Sequence, residues 1–541
     1  MTKPKVVVAE AIADAGIAAL ERECIVDRAE GADRSELLSR VSDAHALVVR
    51  SATAVDAEMI AAAPELKVVG RAGVGVDNID IDAATEAGVM VVNAPDANTI
   101  SAAEHTMALI LAQARRVPEA DASLRGGSWE RKKLKGMELN GKTLGVVGMG
   151  RIGTLVAQRA SAFGMRIAAY DPYVSEERAR RLGVELMDLD ALLGAADFIT
   201  VHLPRTRETE NLISDEAIAK MKPSARVVNV ARGGIVDEDA VARTVSEGRL
   251  GGAAIDVFAS EPVTASPLFE LSQVVVTPHL GASTQEAQDR AGTDVAIAVV
   301  EALAGGLVSS AVNLDMGPEV SEEIRPFLPV AESLGRIFVR HGRGLPGELT
   351  VCAQGKLAEF SARPLALAAL RGALDSISDE PVTYVNAPRM AEARGVVITE
   401  ERRSESADFQ SMVVVTGEVN GVARTIAGTV MARKGPVLTE VDGYEIELPL
   451  TEHMLIVRND DVPGVIGRVG TYLGSCSVNI ADMVVGRSPE GQAAMMGLSL
   501  DAALNDEQLD GFMLLEGIVA ARYLELPGYN SGETAQPTAS A

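Results

Sequence analysis

The strongest constraint on the fold is a glycine-rich turn within the stretch TLGVVGMGRIGTLVAQRASAFG, residues 143–164. Gly148, Gly150 and Gly153 follow an apolar strand pattern and precede an amphipathic helix pattern. In that context the first glycine permits a tight turn, the second lets a pyrophosphate approach the backbone, and the third brings helix against strand. The phosphates then face the positive end of the helix dipole. The stretch therefore predicts a Rossmann-type dinucleotide-binding unit.

The strand pattern after this loop indicates which dinucleotide binds. The stretch RIAAYD ends at Asp171. A carboxylate at this position binds the ribose hydroxyls of NAD and repels the 2′-phosphate of NADP. We therefore predict NAD as the cofactor, although Arg151 within the loop leaves some use of NADP open.

The wider pattern indicates several domains. The first hundred residues, and again residues 143–284, alternate strand-like and helix-like patches, which is typical of parallel sheets covered by helices. Between them lies a long helix pattern, for which Ser101 is the predicted N-cap and Glu104 completes a capping box. Mixed strands and helices fill residues 320–450, and a compact unit follows. At 541 residues the chain has room for about three or four domains.

Composition excludes several classes of function. A net charge of −26 argues against nucleic acid as a partner. No apolar run reaches the roughly eighteen residues that a membrane span needs, and the N-terminus lacks a signal peptide pattern. Cys24, Cys352 and Cys476 are far apart and lack metal-ligand spacing, which predicts no metal site and a reducing cytoplasm. A small anionic substrate would need a local basic pocket.

Three polar residues follow successive strand patterns in the second α/β series. Arg232 follows RVVNVA, Glu261 follows AAIDVFAS, and His279 follows VVVTP. The strand-end rule predicts that all three converge on the cofactor cleft. His279 is suited to act as a base, Glu261 to orient its imidazole, and Arg232 to hold a carboxylate in a bidentate manner. This set predicts NAD-linked oxidation of an α-hydroxy acid.

Two further arginines supply the basic pocket. Arg50 in VVRSAT and Arg71 in VVGRAG end two strand patterns of the first series. Either arginine alone would more often be a solvated surface residue. Together in one cleft they would bind a second anionic group at the far end of the substrate.

The motifs VVGMGRIG, NVARGGIVDEDA, AAIDVFASEP and TPHLGAST resemble successive motifs of the D-2-hydroxyacid dehydrogenase family. The resemblance implies that Arg232, Glu261 and His279 are the catalytic set, that Asp256 meets the nicotinamide end, and that Gly73 and Val74 contact substrate. It also implies that the coenzyme contacts are Gly148, Gly150, Arg151, Ile152, Gly153, Asp171, Val230, Ala231, Asp256, Gly281 and Ala282. His105 and His202 match family positions, and we favour structural roles for them.

The same resemblance implies an α/β fold with two Rossmann-like or flavodoxin-like domains. The coenzyme domain (98–284) is inserted into a discontinuous substrate domain (1–97 and 285–314). An α+β intervening domain (315–450), a regulatory domain (451–528) and a disordered tail (529–541) follow. The stretch HMLIVRNDDVPG and its continuation resemble a βαββαβ ACT domain, in which Asn459, Asp461 and Asn479 match effector positions. A dimerisation module without a ligand is the alternative.

Within the family, RSAT, GRAGVGVDNID and NAPDANTISAAEH resemble the long-form, phosphoglycerate-oxidising branch. The resemblance implies oxidation of 3-phospho-D-glycerate to 3-phosphohydroxypyruvate, the first step of phosphorylated serine biosynthesis, with feedback by L-serine. It further implies a homotetramer, a dimer of dimers, in which the loop with Trp129, Arg131, Lys132 and Lys133 approaches the partner's active site. The alternatives are another D-2-hydroxyacid dehydrogenase, such as a glyoxylate or hydroxypyruvate reductase, and a nicotinamide-sensing protein-binding module.

Overall fold

The opening β-branched runs form a five-stranded parallel sheet in the computed structural model, which describes residues 3–315, 321–406, 408–487 and 493–529. The strands are β1 (Lys5–Val8), β2 (Ile25–Arg28), β3 (Ala46–Val49), β4 (Val68–Arg71) and β5 (Met90–Asn93). The helices are α1 (Asp14–Glu23), α2 (Arg34–Val41), α3 (Ala57–Ala61) and α4 (Ile81–Glu86). The strand order is β2-β1-β3-β4-β5. The central strands are valine-rich and buried on both faces, as helix-covered parallel strands require.

The second α/β series forms a seven-stranded parallel sheet. Its strands are β6 (Thr143–Val147), β7 (Arg166–Tyr170), β8 (Glu185–Leu186), β9 (Phe198–Val201), β10 (Arg226–Asn229), β11 (Gly252–Ile255) and β12 (Val274–Val276). Its helices are α5 (Thr99–Arg115), α6 (Val117–Arg125), α7 (Arg151–Ala162), α8 (Glu176–Arg181), α9 (Leu189–Ala195), α10 (Asp215–Ala219) and α11 (Glu238–Ser246), with a 3-10 helix at Pro267–Glu270. The order β12-β11-β10-β9-β6-β7-β8 reverses at β6, so a crevice opens beyond its carboxyl end.

Helix α12 (Gln285–Leu303) returns the chain to the first sheet. It passes so close to α1 that a Cβ atom on Gly16 would lie 2.4 Å from the carbonyl oxygen of Gly292. On β4, a Cβ atom on Gly70 would lie 2.7 Å from Cγ2 of Val299. The second unit is therefore inserted between two parts of the first. The predicted α/β fold class is confirmed, while the exact domain boundaries stay a prediction.

The third unit is a mixed sheet covered by helices. Its strands are β13 (Glu348–Gly355), β14 (Val397–Arg403), β15 (Ser411–Val419), β16 (Val422–Met431), β17 (Gly435–Val441) and β18 (Tyr444–Pro449). Its helices are α13 (Leu328–Gly342), α14 (Arg363–Asp375) and α15 (Ala387–Ala393), with 3-10 helices at Arg325–Phe327 and Lys356–Glu359. The order is β14-β13-β15-β16-β17-β18, and only the β13–β14 pair is parallel among these described strands.

The last unit runs strand, helix, strand, strand, helix, strand, which is the predicted order of elements. Its elements are β19 (His453–Asp460), α16 (Val465–Ser475), β20 (Ile480–Arg487), β21 (Ala493–Leu500), α17 (Asp506–Met513) and β22 (Ile518–Glu525). The antiparallel sheet has the order β20-β21-β19-β22. It meets the third unit along β18, where a Cβ atom on Gly486 would lie 2.4 Å from the carbonyl oxygen of Glu445. The assignment as an ACT domain stays a prediction.

The predicted start of the long helix is wrong. Helix α5 begins at Thr99 after Asn98, and the Asn98 side chain forms no capping hydrogen bond. Ser101 lies inside the helix, where its hydroxyl is 2.7 Å from Oγ1 of Thr284. The serine therefore joins α5 to the start of α12 and does not cap the helix.

Tyr529, the first residue of the predicted tail, contacts the third unit. The hydroxyl of Ser333 donates a hydrogen bond of 3.3 Å to the hydroxyl of Tyr529. The rest of the predicted tail, residues 530–541, lies outside the described residues.

Among the helices that the structure describes, none is long and apolar enough to cross a membrane.

Candidate active site

The imidazole of His279 is paired with the carboxylate of Glu261 at the edge of the second sheet. Nδ1 of His279 lies 2.7 Å from Oε2 of Glu261, whose Oε1 accepts a hydrogen bond from the Phe258 amide. His279 is 45% exposed, so its ring faces the cleft and is not packed in a core. Because Nδ1 is engaged by a carboxylate, we assign it the proton, which leaves Nε2 free as an acceptor.

A buried carboxylate holds the turn that carries His279. Asp256 has no exposed surface, and its oxygens accept hydrogen bonds from Oγ1 of Thr277 and from the amides of Leu280 and Gly281. Burial would raise the pKa of Asp256, but hydrogen bonds from His105 and Thr277 keep this pKa below its usual value. The predicted contact of Asp256 with the nicotinamide end stays a prediction, because the observed partners are the turn and His105 of α5.

The backbone of His279 is itself unusual. Its φ angle is +54°, in the left-handed region that non-glycine residues seldom adopt. The amide of His279 donates to the carbonyl oxygens of Asp256 and Thr277, at 2.8 and 3.0 Å. These bonds fix the conformation and direct the ring toward Glu261, which is the pre-organisation that a proton-transfer group requires.

Of the three predicted arginines, Arg50 and Arg232 lie close enough to Arg71 for their positive charges to affect its pKa. Arg71 is largely buried and its Nε has no hydrogen-bond partner. Burial, followed by the positive charge of Arg232, lowers the pKa of the Arg71 guanidinium, and Arg50 adds to this effect. The loop that holds Gly73 and Val74 passes close by, since a Cβ atom on Gly73 would lie 1.8 Å from Nη1 of Arg71. Concentrated positive charge of this kind favours an anionic ligand.

The glycine loop meets the requirements of a dinucleotide site. A Cβ atom on Gly153 would lie 2.0 Å from the carbonyl oxygen of Gly148, whereas one on Gly150 would meet nothing within 4 Å. Gly150 also precedes α7 without a side-chain cap, so amide groups at the helix start remain available to phosphate oxygens. Oδ2 of Asp171 accepts a hydrogen bond of 2.8 Å from the Met149 amide, which ties the predicted ribose ligand to this loop. The residues present therefore fit NAD.

Two neighbouring cavities meet at His279. One, of about 590 Å³, is lined by Arg50, Arg71, Gly73, Glu261 and His279 together with other residues of both α/β units. The other, of about 560 Å³, is lined among others by Val74, Gly150, Arg151, Ile152, Val230, Ala231, Arg232, His279, Gly281 and Ala282. Most of the predicted substrate and coenzyme residues thus line one continuous region around His279.

The two other histidines of interest have interior partners. Nε2 of His105 lies 3.2 Å from both Oδ1 of Asp256 and Oγ1 of Thr277. Nε2 of His202 lies 3.0 Å from Oγ1 of Thr200, and burial lowers the pKa of His202 to about 4. Both contacts agree with structural roles, which stay predictions.

Two acidic residues of the site were not predicted. Oδ2 of Asp77 lies 3.5 Å from Nε of Arg232, and Glu10 accepts hydrogen bonds from the amides of Arg50 and Thr53. Asp77 lies in the GVGVDNID motif and could have been found there. Glu10 follows a short strand without any motif, so the sequence carried no signal for it.

The candidate effector residues do not meet within one chain. Nδ2 of Asn459 donates to the carbonyl oxygen of Asp460 while its buried Oδ1 has no partner, and Asp461 pairs with Arg487 at 3.1 Å. Asn459 faces Ala494 across the sheet, whereas Asn479 precedes Ile480, which faces Leu500. Ala494 and Leu500 are six residues apart on β21, so Asn459 and Asn479 are separated by roughly 20 Å. A ligand that touches all three would therefore need two copies of the chain.

The basic loop after α6 is open to solvent. Trp129 is 81% exposed, Arg131 and Lys132 are also exposed, and Lys133 pairs locally with Glu130 at 2.6 Å. Its approach to a partner subunit stays a prediction.

Comparison with known proteins agrees with this geometry. Residues 107–281 match the D-isomer specific 2-hydroxyacid dehydrogenase NAD binding domain, and residues 323–442 match the D-3-phosphoglycerate dehydrogenase intervening domain. The D-3-phosphoglycerate dehydrogenase of Mycobacterium leprae (strain TN) is 50% identical over 93% of this chain and 95% of its own length. The chain belongs to the D-3-phosphoglycerate dehydrogenase family. NAD is its cofactor, as predicted.

Other proteins with lower sequence identity are also similar to this chain. The D-3-phosphoglycerate dehydrogenase of Synechocystis sp. is 44% identical over 97% of this chain and 95% of its own length. Among solved structures, the TT0316 protein from Thermus thermophilus is similar with 36% identity and a TM-score of 0.53. It covers 57% of this chain and 99% of its own length.

Proposed function

We propose that this chain oxidises 3-phospho-D-glycerate to 3-phosphohydroxypyruvate with NAD, as the first step of phosphorylated serine biosynthesis. The observation that carries the proposal is the His279–Glu261 pair in a cleft shared with Arg50, Arg71 and Arg232. A proton acceptor and several cations there match a substrate with one hydroxyl and two anionic groups.

The protein groups have separate tasks in this reaction. NAD would be held by the glycine loop and Asp171 and would supply the acceptor for the hydride that leaves C2 of the substrate. Nε2 of His279 takes the hydroxyl proton, and Glu261 stabilises the imidazolium that results. The guanidinium of Arg232 holds the substrate carboxylate and so fixes C2 beside His279.

Arg50 and Arg71 favour a phosphorylated substrate over glycerate. Both line the cavity that contains His279 and Glu261, and Arg71 has a buried Nε without a partner. A phosphate at this end of the cleft satisfies that donor and neutralises the mutual repulsion of the arginines. A glyoxylate or hydroxypyruvate reductase would have no use for this charge.

The decisive experiment compares NADH formation from 3-phosphoglycerate and from D-glycerate in the unmodified chain, in Arg71→Ala and in Arg402→Ala. Arg402 is an exposed residue of β14 and serves as the matched control. We expect Arg71→Ala to raise KM for 3-phosphoglycerate at least tenfold, because a charge-assisted hydrogen bond is worth about 1.5–3 kcal/mol. Turnover of D-glycerate should change little. Equal loss with both substrates would contradict the phosphate assignment.

The proposal includes regulation and assembly. L-serine is the proposed effector, held by Asn459 and Asp461 of one copy and Asn479 of another, which is supported by the roughly 20 Å that separates these positions in one chain. This requires a homo-oligomer, for which a dimer of dimers is proposed. The three free cysteines support a cytoplasmic enzyme.

A further inference from the structure

The side chain of Glu10 contacts the loop that carries Arg50. Glu10 lies two residues beyond the end of β1, and β1 pairs with β3, which leads directly into Arg50. Because the carboxyl ends of neighbouring parallel strands meet at one edge of the sheet, the two residues come together there. The reaction proposed above assigns no task to Glu10. We call residues 50–53 the Arg50 loop.

The carboxylate of Glu10 accepts three backbone hydrogen bonds from the Arg50 loop. Its Oε1 accepts from the amides of Arg50 and Thr53, both at 2.9 Å, and its Oε2 accepts from the amide of Ala52 at 3.2 Å. Hydrogen bonds to a charged acceptor are roughly twice as strong as neutral ones. The amide groups of the loop are therefore held firmly by one side chain.

Asn78 holds the carbonyl groups of the same loop. Its Nδ2 donates to the carbonyl oxygen of Arg50 at 2.8 Å and to that of Thr53 at 2.6 Å. The guanidinium of Arg50 in turn donates from Nη1 to the carbonyl oxygen of Ala11, at 3.5 Å. Both the backbone and the side chain of Arg50 are thus oriented by the segment that contains Glu10.

Glu10 acts on a substrate indirectly. Arg50 and Asn78 line the cavity that contains His279, whereas Glu10 is absent from the described residues that line it. A carboxylate near this cavity would by its charge alone repel a substrate phosphate. Any favourable effect of Glu10 on a phosphorylated substrate therefore comes from the position that it gives to Arg50, and binding depends steeply on such positions.

We propose that Glu10 is a positioning residue that gives the active site its selectivity for a phosphorylated substrate, because it fixes the loop that presents Arg50. The inference rests on the proposed function, in which Arg50 binds the substrate phosphate. An arginine on a loose loop would lose more conformational entropy on binding than one on a fixed loop. D-glycerate has no phosphate, so its binding should not depend on Glu10.

The test measures KM and kcat for 3-phosphoglycerate and for D-glycerate in the unmodified chain, Glu10→Ala, Arg50→Ala and the double variant. Glu21→Ala is the matched control, because Glu21 is exposed on α1. We expect Glu10→Ala to raise KM for 3-phosphoglycerate roughly tenfold, as the displacement of a positioning group does, while KM for D-glycerate changes little. The double variant should have the same KM as Arg50→Ala, because Glu10 acts through Arg50. Glu10→Asp keeps the charge and should restore part of the affinity.

The direction of the change separates positioning from other roles. A lower KM for 3-phosphoglycerate in Glu10→Ala would mean that the carboxylate acts only as a repelling charge, and this would overturn the proposal. Equal rises of KM for both substrates, or additive effects in the double variant, would also overturn it, since either result indicates general support of the cleft.

Two further comparisons keep the test decisive. If Glu10→Ala loses its native circular dichroism, Glu10→Gln gives the same comparison with a smaller rise, because its amide can still accept from Arg50 and Thr53 but not from Ala52. An unmodified chain that oxidises D-glycerate as well as 3-phosphoglycerate would overturn the proposed function itself. A preference for 3-phosphoglycerate that Glu10→Ala retains in full would overturn only the role of Glu10.

Discussion

At the scale of single residues, the function depends on the charge of Glu261 as well as on its position. The 2.7 Å contact to Nδ1 of His279 fixes the ring, and the negative charge stabilises the imidazolium formed during oxidation. Glu261→Gln retains the shape but removes the charge, so we expect kcat to fall at least a hundredfold, roughly the effect of losing such a partner. Isothermal titration should show unchanged NAD affinity.

Glu270→Gln is the control for this substitution, because Glu270 is exposed on the neighbouring 3-10 helix. Its kcat should equal that of the unmodified chain. Full activity of Glu261→Gln would mean that the carboxylate only positions the ring.

His202 gives the chain a predictable pH dependence of stability. Burial lowers its pKa to about 4 from the ordinary value of 6.5, so the folded chain keeps the ring neutral where the unfolded chain protonates it. The stabilisation is complete above pH 6.5 and is lost as the pH falls toward 4. Because part of the ring faces the cleft, we expect roughly 1–2 kcal/mol of this loss between about pH 7.5 and about pH 5. The free energy of unfolding of His202→Gln, measured with urea, should not show this loss. Parallel curves of unfolding free energy against pH for the unmodified chain and His202→Gln would contradict the prediction.

The catalytic positions could be predicted because the carboxyl ends of parallel strands meet at one edge. Arg232, Glu261 and His279 each follow a strand, and the strand-end rule needs no further knowledge of the loops. The contacts of these residues could not be predicted by the same rule, although a sequence motif contains Asp77. Asp77 reaches Arg232 from the other α/β unit, and Asp256 closes the His279 turn through contacts that depend on local backbone angles.

At the scale of elements, two glycines of the same loop have different tasks: Gly153 allows close packing and Gly150 leaves space for a ligand. A Cβ atom on Gly153 would collide with the carbonyl oxygen of Gly148 and push α7 away from β6. One on Gly150 would enter open space where a pyrophosphate is expected. Gly153→Ala should therefore lower stability by about 1–3 kcal/mol, as overpacking does, and also weaken NAD binding.

Gly150→Ala should weaken NAD binding while the melting temperature without ligand stays unchanged. Differential scanning fluorimetry with and without NAD measures both effects. A lower melting temperature for Gly150→Ala without NAD would contradict the open space seen above the loop.

The start of α5 shows where element prediction fails. Ser101 and Glu104 match a capping box in sequence, but the helix begins two residues before Ser101. The Ser101 hydroxyl contacts Thr284, a residue 183 positions away in the chain. A local pattern cannot reveal that a side chain is used in a distant contact, and tertiary contact decided this boundary.

At the scale of the whole molecule, one apolar core links the first α/β unit to the C-terminal sheet. Val6 and Val299 of the first unit belong to the same buried cluster as Leu334 and Leu370 of α13 and α14, and the cluster continues to Met454 on β19. Packed side chains that are continuous between two sites offer a physical connection through which a ligand at one end can influence the other. Such influence requires that the ligand binds two states of the molecule with different affinity.

The proposed serine site provides the test at this scale. Asp461 lies next to β19 and its carboxylate suits an amino-acid ammonium group, while the active cleft is in other units. Asp461→Ala should therefore raise the L-serine concentration that gives half-maximal inhibition at least tenfold. NADH formation without serine should stay unchanged. Asp510→Ala, an exposed residue of α17, is the matched control and should keep full inhibition. Inhibition that survives Asp461→Ala would place the effector elsewhere, and loss of basal activity in both variants would indicate that the C-terminal unit is needed for assembly.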